Sequence, residues 1–474
     1  MTHSLSTVLL CCAVLGAAAP PHHPLGAQAP PRDSTRGGQA GTGAGAGAPD
    51  SLSLDSLRAR LARAEAAIAL LREQLAGESE SAVHTRSRFR LEVSAQLLAN
   101  AFGTFGRVNN IDVPQTALAP PAPGAIPPTN DAAGFTVRQT RFGAAASVDN
   151  VAGATFAGDV DFDLFGGVQN APGDRRLFPE PRIRTARARL IWPRTELMVG
   201  AETPLISDLN PLSLASVGIP DFSAAGNLWN WLAQVRLTQA IATMGRGERQ
   251  AQFAIQAAIM TPFASQVAPG EPDAVDAGER SRRPAFEGRA RLRWGGSDGA
   301  STISEALIAE HGGEIGVGVH QGWLAVAAGS LTESRAVSVD AHAVIAPRVE
   351  IRGEAYSGRL LRGLGGGAIA QNFGAAPAGA PAGALGPPIR DVAGWAQLNG
   401  QPHPALIGGV GCGIDRPNPD DSPTRLQNTV CAIHADWRPA QPLLFGVEYR
   451  RLATRFSTGT FVAHHVNFVF GFEL

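Results

Sequence analysis

The stretch VNFVFGFEL, residues 466–474, decides the fold. Side chains of an extended chain alternate between two faces. Val466, Phe468, Phe470, Phe472 and Leu474 therefore share one face, and Asn467, Gly471 and Glu473 lie on the other, with Val469 the apolar exception. A strand so apolar on one side needs lipid or a protein layer against it.

The same period of two recurs along the chain. Phe89, Leu91, Val93, Ala95 and Leu97 alternate with Arg88, Arg90, Glu92, Ser94 and Gln96. Phe156, Val160, Phe162 and Leu164 alternate with Asp159, Asp161 and Asp163, and Phe253, Ile255, Ala257 and Ile259 with glutamines. The clearest copy sets Phe286, Ala290, Leu292 and Trp294 against Glu287, Arg289, Arg291 and Arg293. Short turns (DNVAG, WPRT, GGSDG, RPAQP) alternate with long loops at 103–134, 203–228, 261–284, 358–392 and 413–427. Alternating strands joined by short turns on one side and long loops on the other are the pattern of an up-and-down barrel set in a membrane.

A soluble sandwich shares the period, but one this large needs several domains, and no linker after Ser87 divides the chain. The expectation is an all-β fold, a transmembrane antiparallel barrel over 87–474. Candidate strands number 16 to 18, because 300–346 divides in more than one way, and closure of the sheet calls for an even number. The barrel would pair its last strand with the one beginning near Phe89, the chain ending where the sheet closes.

If the apolar parity meets lipid, the polar parity lines a lumen. Arg289, Arg291 and Arg293 then form a column of positive charge, to which Arg138, Arg141, Arg182, Arg184, Arg187 and Arg189 add. Arg184 and Arg187 differ in parity, so some of these would lie in turns or at a subunit contact. One reading is a wall that attracts small anions; the other is an ordinary polar lining balanced by Asp159, Asp161, Asp163 and Glu196. Loop 203–228 is the constriction candidate. It carries Leu205, Ile206, Leu209, Leu212, Leu214, Val217, Ile219 and Phe222, which need something to pack on. Folding into the barrel mouth would set Glu202, Asp208 and Asp221 opposite the arginines; a subunit contact is the competing account.

The N-terminal region differs. Residues 1–19 have the apolar core and small residues of a secretory signal, with cleavage after Ala19 or, at an A-x-A pattern, after Ala29. Residues 20–50 are an Ala/Gly/Pro-rich tether. In 51–77, Leu54, Leu57, Leu61, Ala64, Ile68, Leu71 and Leu75 follow alternating spacings of three and four, the seam of a short coiled coil. Cys412 and Cys431 are the pair left after the signal, and in an exported protein they point to one disulfide across a long polar loop, or else to two buried thiols.

Several classes are excluded. A net charge of -1 offers no electrostatic case for nucleic acid, and no long apolar run after residue 20 would cross a membrane as a helix. The chain has no GxSxG, HExxH, P-loop or dinucleotide fingerprint, so neither an enzyme, a metal site nor a cofactor is expected.

The segment before the barrel, VRQTRFGAAAS at 137–147, VGAETPLISDLNPLS at 199–213, IRGEAYSGRLLRGLGGGAIAQNFG at 351–374, GWAQLNGQP and GVGCGIDRP near 394–417, and the terminal FVFGFEL resemble the DcaP-like family of trimeric outer-membrane porins. The resemblance implies a 16-stranded barrel, a homotrimer, a periplasmic N-terminal coiled coil and passive uptake of small, often anionic solutes. It also implies the outer membrane of a Gram-negative bacterium, with lipid and lipopolysaccharide around the barrel, and places 199–213 at the constriction. The alternating terminal aromatics resemble the signal read by the barrel-insertion machinery, with Leu474 in place of the usual Phe. The long tether and the Pro-rich loop 113–128 depart from the family. A barrel serving only as a structural or adhesive anchor is the alternative.

Overall fold

The structure, a computed structural model, describes residues 82–84 and 89–474 apart from 125–129, 167–178, 247–248, 267–274, 296–307, 309–310, 328–329, 381–383 and 423. The signal, the tether and the coiled-coil seam from Leu54 to Leu75 lie outside the described residues. The regular secondary structure of the described part is almost wholly strand. Its first half comprises β1 (Ala82–His84), β2 (Phe89–Phe105), β3 (Ala132–Thr136), β4 (Arg141–Val151), β5 (Ala154–Asp163), β6 (Arg182–Ile191), β7 (Thr195–Glu202), β8 (Leu232–Met244) and β9 (Ala251–Met260). The second comprises β10 (Ala285–Trp294), β11 (Gly313–Ala327), β12 (Ser330–Ala346), β13 (Val349–Arg359), β14 (Arg390–His403), β15 (Leu406–Pro417), β16 (Arg425–Trp437), β17 (Leu443–Phe456) and β18 (Gly459–Glu473).

These eighteen strands make sixteen wall positions. β2 pairs with β4 through residues 89–96 and with β3 through 100–104, so β3 and β4 are halves of one wall strand, broken at 137–140. β1 is a fragment that pairs with residues 90–92 of β2, on the edge that β18 occupies from Gln96 onward. Every wall strand runs antiparallel to its neighbours, and β18 closes on β2 with Phe468 opposite Ala101 and Phe472 opposite Leu97. Leu474 continues the closure, exchanging both backbone hydrogen bonds with Ala95.

The alternation sorts as expected. Val235, Leu237, Ile255, Ile259, Val317, Val319, Val337, Val339, Phe468 and Phe470 are exposed on the outer wall. Aromatic side chains gather toward both ends of this band: Trp437, Phe445, Phe470 and Phe472 in mutual contact at the short-turn end, Phe286 on Trp323 at the long-loop end. An apolar band between aromatic girdles suits hydrocarbon between two polar interfaces. Val469, the exception in the closing strand, faces inward and packs with Leu98, Leu212, Leu214 and Leu444.

Two expected boundaries are corrected. GGSDG marks the end of β10 but not a short turn: β11 starts only at Gly313, leaving the connection 295–312. Turn residues signal where a strand breaks, not where its partner resumes. The long loop expected at 413–427 shrinks to 418–424, because β15 extends to Pro417 and β16 begins at Arg425. Its inward positions Gly411 and Gly413 carry no side chains to display the alternation. Cys412 and Cys431 are therefore not loop residues but directly opposed strand residues, joined by a disulfide on the outer wall.

The bridge spans a sequence separation of 19, for which loss of unfolded-chain entropy amounts to about 3 kcal/mol in the chain-entropy account. Replacing both cysteines by serine should lower the urea midpoint of unfolding by a corresponding amount and leave the folded, heat-modifiable band on semi-native gels. Loss of that band would show instead that the bridge is needed for the barrel to form.

Candidate functional site: the lumen and its inward loop

Loop 203–231, between β7 and β8, folds into the barrel rather than outward to a subunit. Leu205, Ile206, Leu214, Ile219, Phe222 and Leu228 are buried, so the apolar residues that a solvated loop could not accommodate are covered by the inner wall. Its backbone is hydrogen-bonded to side chains from strands around the lumen. The Ile206 N–H donates to Glu287 of β10 at 3.0 Å, and Gln397 of β14 binds both the N–H and the carbonyl of Leu212, each at 2.8 Å. On another side, Gln139 accepts from the Gly218 N–H at 2.6 Å and donates to the Ala215 carbonyl at 3.0 Å. The wall also makes room for it. A Cβ on Gly318 would meet the Ile206 carbonyl oxygen at 2.5 Å, and one on Gly413 would meet Phe222 Cβ at 2.8 Å.

The arginines of β6 all turn inward, contrary to what their parity predicts. A β-bulge pairs Asp161 with Thr185 but Phe162 with Ile183, so one extra residue of β6 is accommodated and the alternation resets. Arg182, Arg184, Arg187 and Arg189 consequently all reach the β5 carboxylates. Arg182 bonds Asp163 at 2.5 Å, Arg184 lies 3.5 Å from Asp161, and Arg187 and Arg189 hold Asp159 at 2.8 and 3.3 Å. Arg141 adds a bond of 2.7 Å to Asp161.

The β10 column also faces inward, and it too is matched by carboxylates. Arg289 pairs with Asp340 and, at 3.1 Å, with Glu314; Arg293 and Arg291 reach Glu314 at 3.0 and 3.8 Å. Arg138 stands apart from that column. It sits at the break between β3 and β4, bonded to Asp112 at 2.9 Å and stacked on Phe165 with its guanidinium carbon 4.1 Å from the ring centre.

The three acidic positions separate. Glu202, at the end of β7, pairs with Arg187. Asp208 lies 3.8 Å from Arg236, with Arg289 and Arg291 also acting on it. Burial by itself would raise its pKa, but Arg236 and Arg289 outweigh that and hold the carboxyl below its usual value. Asp221 does not face the β10 column. It pairs with Arg450 of β17, beside Glu448, because the loop crosses the lumen between positions 208 and 221.

Arg450, Arg236 and Arg352 are inward charges that sequence reasoning missed. Arg450 and Arg451 are adjacent, and only the register shows that Arg450 faces in and Arg451 out. The usable signal was Glu448-x-Arg450, a charged pair on the polar parity of EYRRL. Arg450 is just 2% exposed and bonds Glu448 at 2.6 Å, Asp221, and the Ser216 hydroxyl.

The geometry defines a class: a sixteen-stranded antiparallel barrel with an apolar outer belt, a charged inner wall and loop 203–231 folded into the lumen, where the β2–β3 loop also packs on the inner wall. Among solved structures, it is similar to the outer membrane channel DcaP of Acinetobacter baumannii, with a TM-score of 0.57 and 13% identity over 83% of this chain and 100% of that one. An anion-selective porin from Comamonas acidovorans aligns with a TM-score of 0.49 and 9% identity over 81% of this chain and 100% of that chain. OmpT of Vibrio cholerae gives 0.46 and 9% over 83% of this chain and 100% of its own length. The resemblance read from sequence thus holds at the level of the fold. No protein-family model matches the chain, and no curated protein does.

Breaking a buried ion pair by removing one partner strands the other charges. Arg450→Met should therefore destabilise the barrel by about 3–5 kcal/mol, measured by urea unfolding, whereas Arg451→Met on the outer wall should change it little.

Proposed function

We propose that the protein is an outer-membrane porin giving passive diffusion to small hydrophilic solutes. The observation that carries this reading is the closed barrel with a charged inner wall and an apolar, aromatic-girdled exterior. Loop 203–231 acts as the constriction, with Asp208 held opposite Arg236 and Arg289 so that a transverse field crosses the pore. Most short turns face the periplasm with the N-terminus and most long loops face outward, the connection 295–312 being a long one on the periplasmic side. The closing strand from Gly459 to Glu473 supplies the pattern read by the barrel-insertion machinery.

The remaining partners follow the same reading. The 51–77 heptads hold a homotrimer from the periplasmic side. Arg335, Arg359 and Arg390 occupy directly opposed register positions on β12, β13 and β14. Like charges opposed across strands repel; Glu333, shared by Arg335 and Arg359, and Asp421 on Arg390 offset part of that repulsion, and phosphate groups of lipopolysaccharide at the long-loop rim offset the rest.

For solutes, small anions such as carboxylates are preferred, Arg289, Arg291 and Arg293 supplying the positive side of the field. Because these arginines are matched by Glu314 and Asp340, the preference is moderate. In a planar bilayer the protein should give ohmic conductance, with a reversal potential under a KCl gradient on the anion side. Changing the three arginines to glutamine should shift that potential toward cations. A cation-selective wild-type channel would overturn the charge assignment, and absence of conductance would favour the anchor reading. Deleting 51–77 should lower the temperature at which the trimer dissociates on semi-native gels; an unchanged temperature would remove the coil from assembly.

A further inference from the structure

At the long-loop end lies a cavity of about 590 Å³, bordered by the β2–β3 loop, the inward loop near Ala224, the β9–β10 loop and the β13–β14 loop. Two arginines line it, Arg362 of the β13–β14 loop and Arg425 at the start of β16. They differ from the arginines of the inner wall. Arg141, Arg182, Arg184, Arg187, Arg189, Arg236, Arg289, Arg291, Arg293, Arg352 and Arg450 each have a carboxylate within 4.0 Å. Among the described residues neither Arg362 nor Arg425 has one.

Their surroundings leave this charge open. Asp276 is the acidic group that acts on Arg362. Its carboxylate, however, is occupied by the backbone N–H groups of Ala264, Gly278 and Gln266 at 2.7, 2.7 and 2.8 Å. Arg425 donates once, to the Ile369 carbonyl at 3.3 Å, and the charge beside it is Arg362, which repels it. Two desolvated like charges facing one space are unfavourable unless an anion joins them.

The wall opposite is held in a strained shape. Ala368, Ile369 and Ala370 are successive left-handed residues with φ of 51°, 54° and 57°. Buried Asp391 and Asp415 clamp them by accepting the Ala368 and Ile369 N–H groups at 2.7 and 3.0 Å. Strain of this kind persists only where the surroundings over-determine it, and it concentrates at ligand sites. Four of the five lining amides are already bonded. Asn109 and Gln115 are bonded to each other, Gln371 to Ala368, and Asn372 to Ala264 and Arg362. Lining the cavity besides these are two guanidiniums without a carboxylate partner, the side chains of Thr116 and Gln266, and the apolar groups of Leu118 and Phe373.

We propose that this cavity is a binding site for a small organic acid, whose carboxylate lies between Arg362 and Arg425 and whose apolar body rests against Leu118 and Phe373. It deepens the channel reading by placing solute selection at the mouth, ahead of the balanced lumen. Isothermal titration of the full-length protein in detergent with benzoate tests it, with benzamide as the uncharged counterpart. Benzoate should bind, and benzamide should bind at least about tenfold more weakly, the loss expected for charge-assisted hydrogen bonds. Arg362→Gln with Arg425→Gln should weaken benzoate by at least about tenfold, while Arg451→Gln on the outer wall should leave it unchanged. Arg362→Lys, which keeps the charge but not the planar fork, should fall between. Absence of benzoate binding, equal binding of benzamide, or wild-type affinity in the folded double variant would each overturn the site. Because the readout is binding, benzoate bound by a non-conducting protein would refute the channel and spare the site; an ohmic channel without binding would do the reverse.

Discussion

The backbone of a strand presents N–H and C=O groups on both edges, and hydrocarbon offers neither donors nor acceptors. A sheet in that medium must close on itself. Here closure is the pairing of β18 with β2, completed by the bonds between Leu474 and Ala95. Everything else in the molecule answers to it. Closure makes an inside and an outside, so one parity of every strand must be apolar for the exterior and the other is free to be polar. It also creates a lumen of limited width in which charges face one another across short distances.

That crowding explains the ion pairs. A guanidinium on a barrel wall is partly desolvated by its neighbours, and an unmatched charge there costs several kcal/mol at about this degree of burial. The wall accordingly pairs the β6 arginines with the β5 carboxylates, the β10 arginines with Glu314 and Asp340, and Arg450 with Glu448 and Asp221. The lumen is therefore a set of local dipoles, one of them between Asp208 of the inward loop and Arg236. At the long-loop end, by contrast, Arg362 and Arg425 line a cavity without a carboxylate partner among the described residues.

The inward loop and the wall are mutually fitted. Apolar residues in 203–231 require cover, and inward glycines at 318, 411 and 413 leave space for backbone and ring to approach. The same glycines weakened the strand pattern of β15 enough that its end reads as loop. A feature that obscures a strand in sequence is here what admits the loop to the lumen.

Alternation of apolar and polar residues determined, unaided, that the chain is a barrel of 16 to 18 strands, which face of most strands looks outward, and that 203–228 is too apolar to be an ordinary loop. Those are local properties, set by a period of two and by solvent preference. The sequence could not decide which charges meet. Arg184 and Arg187 face the same way because of a bulge, Asp221 finds Arg450 because the loop crosses the lumen, and Cys412 opposes Cys431 because of strand register. Such pairings depend on register and loop path, which distant hydrogen bonds set and no local pattern encodes. For that reason the wall was legible in the sequence, and the arrangement of its charges was decided only by the tertiary structure.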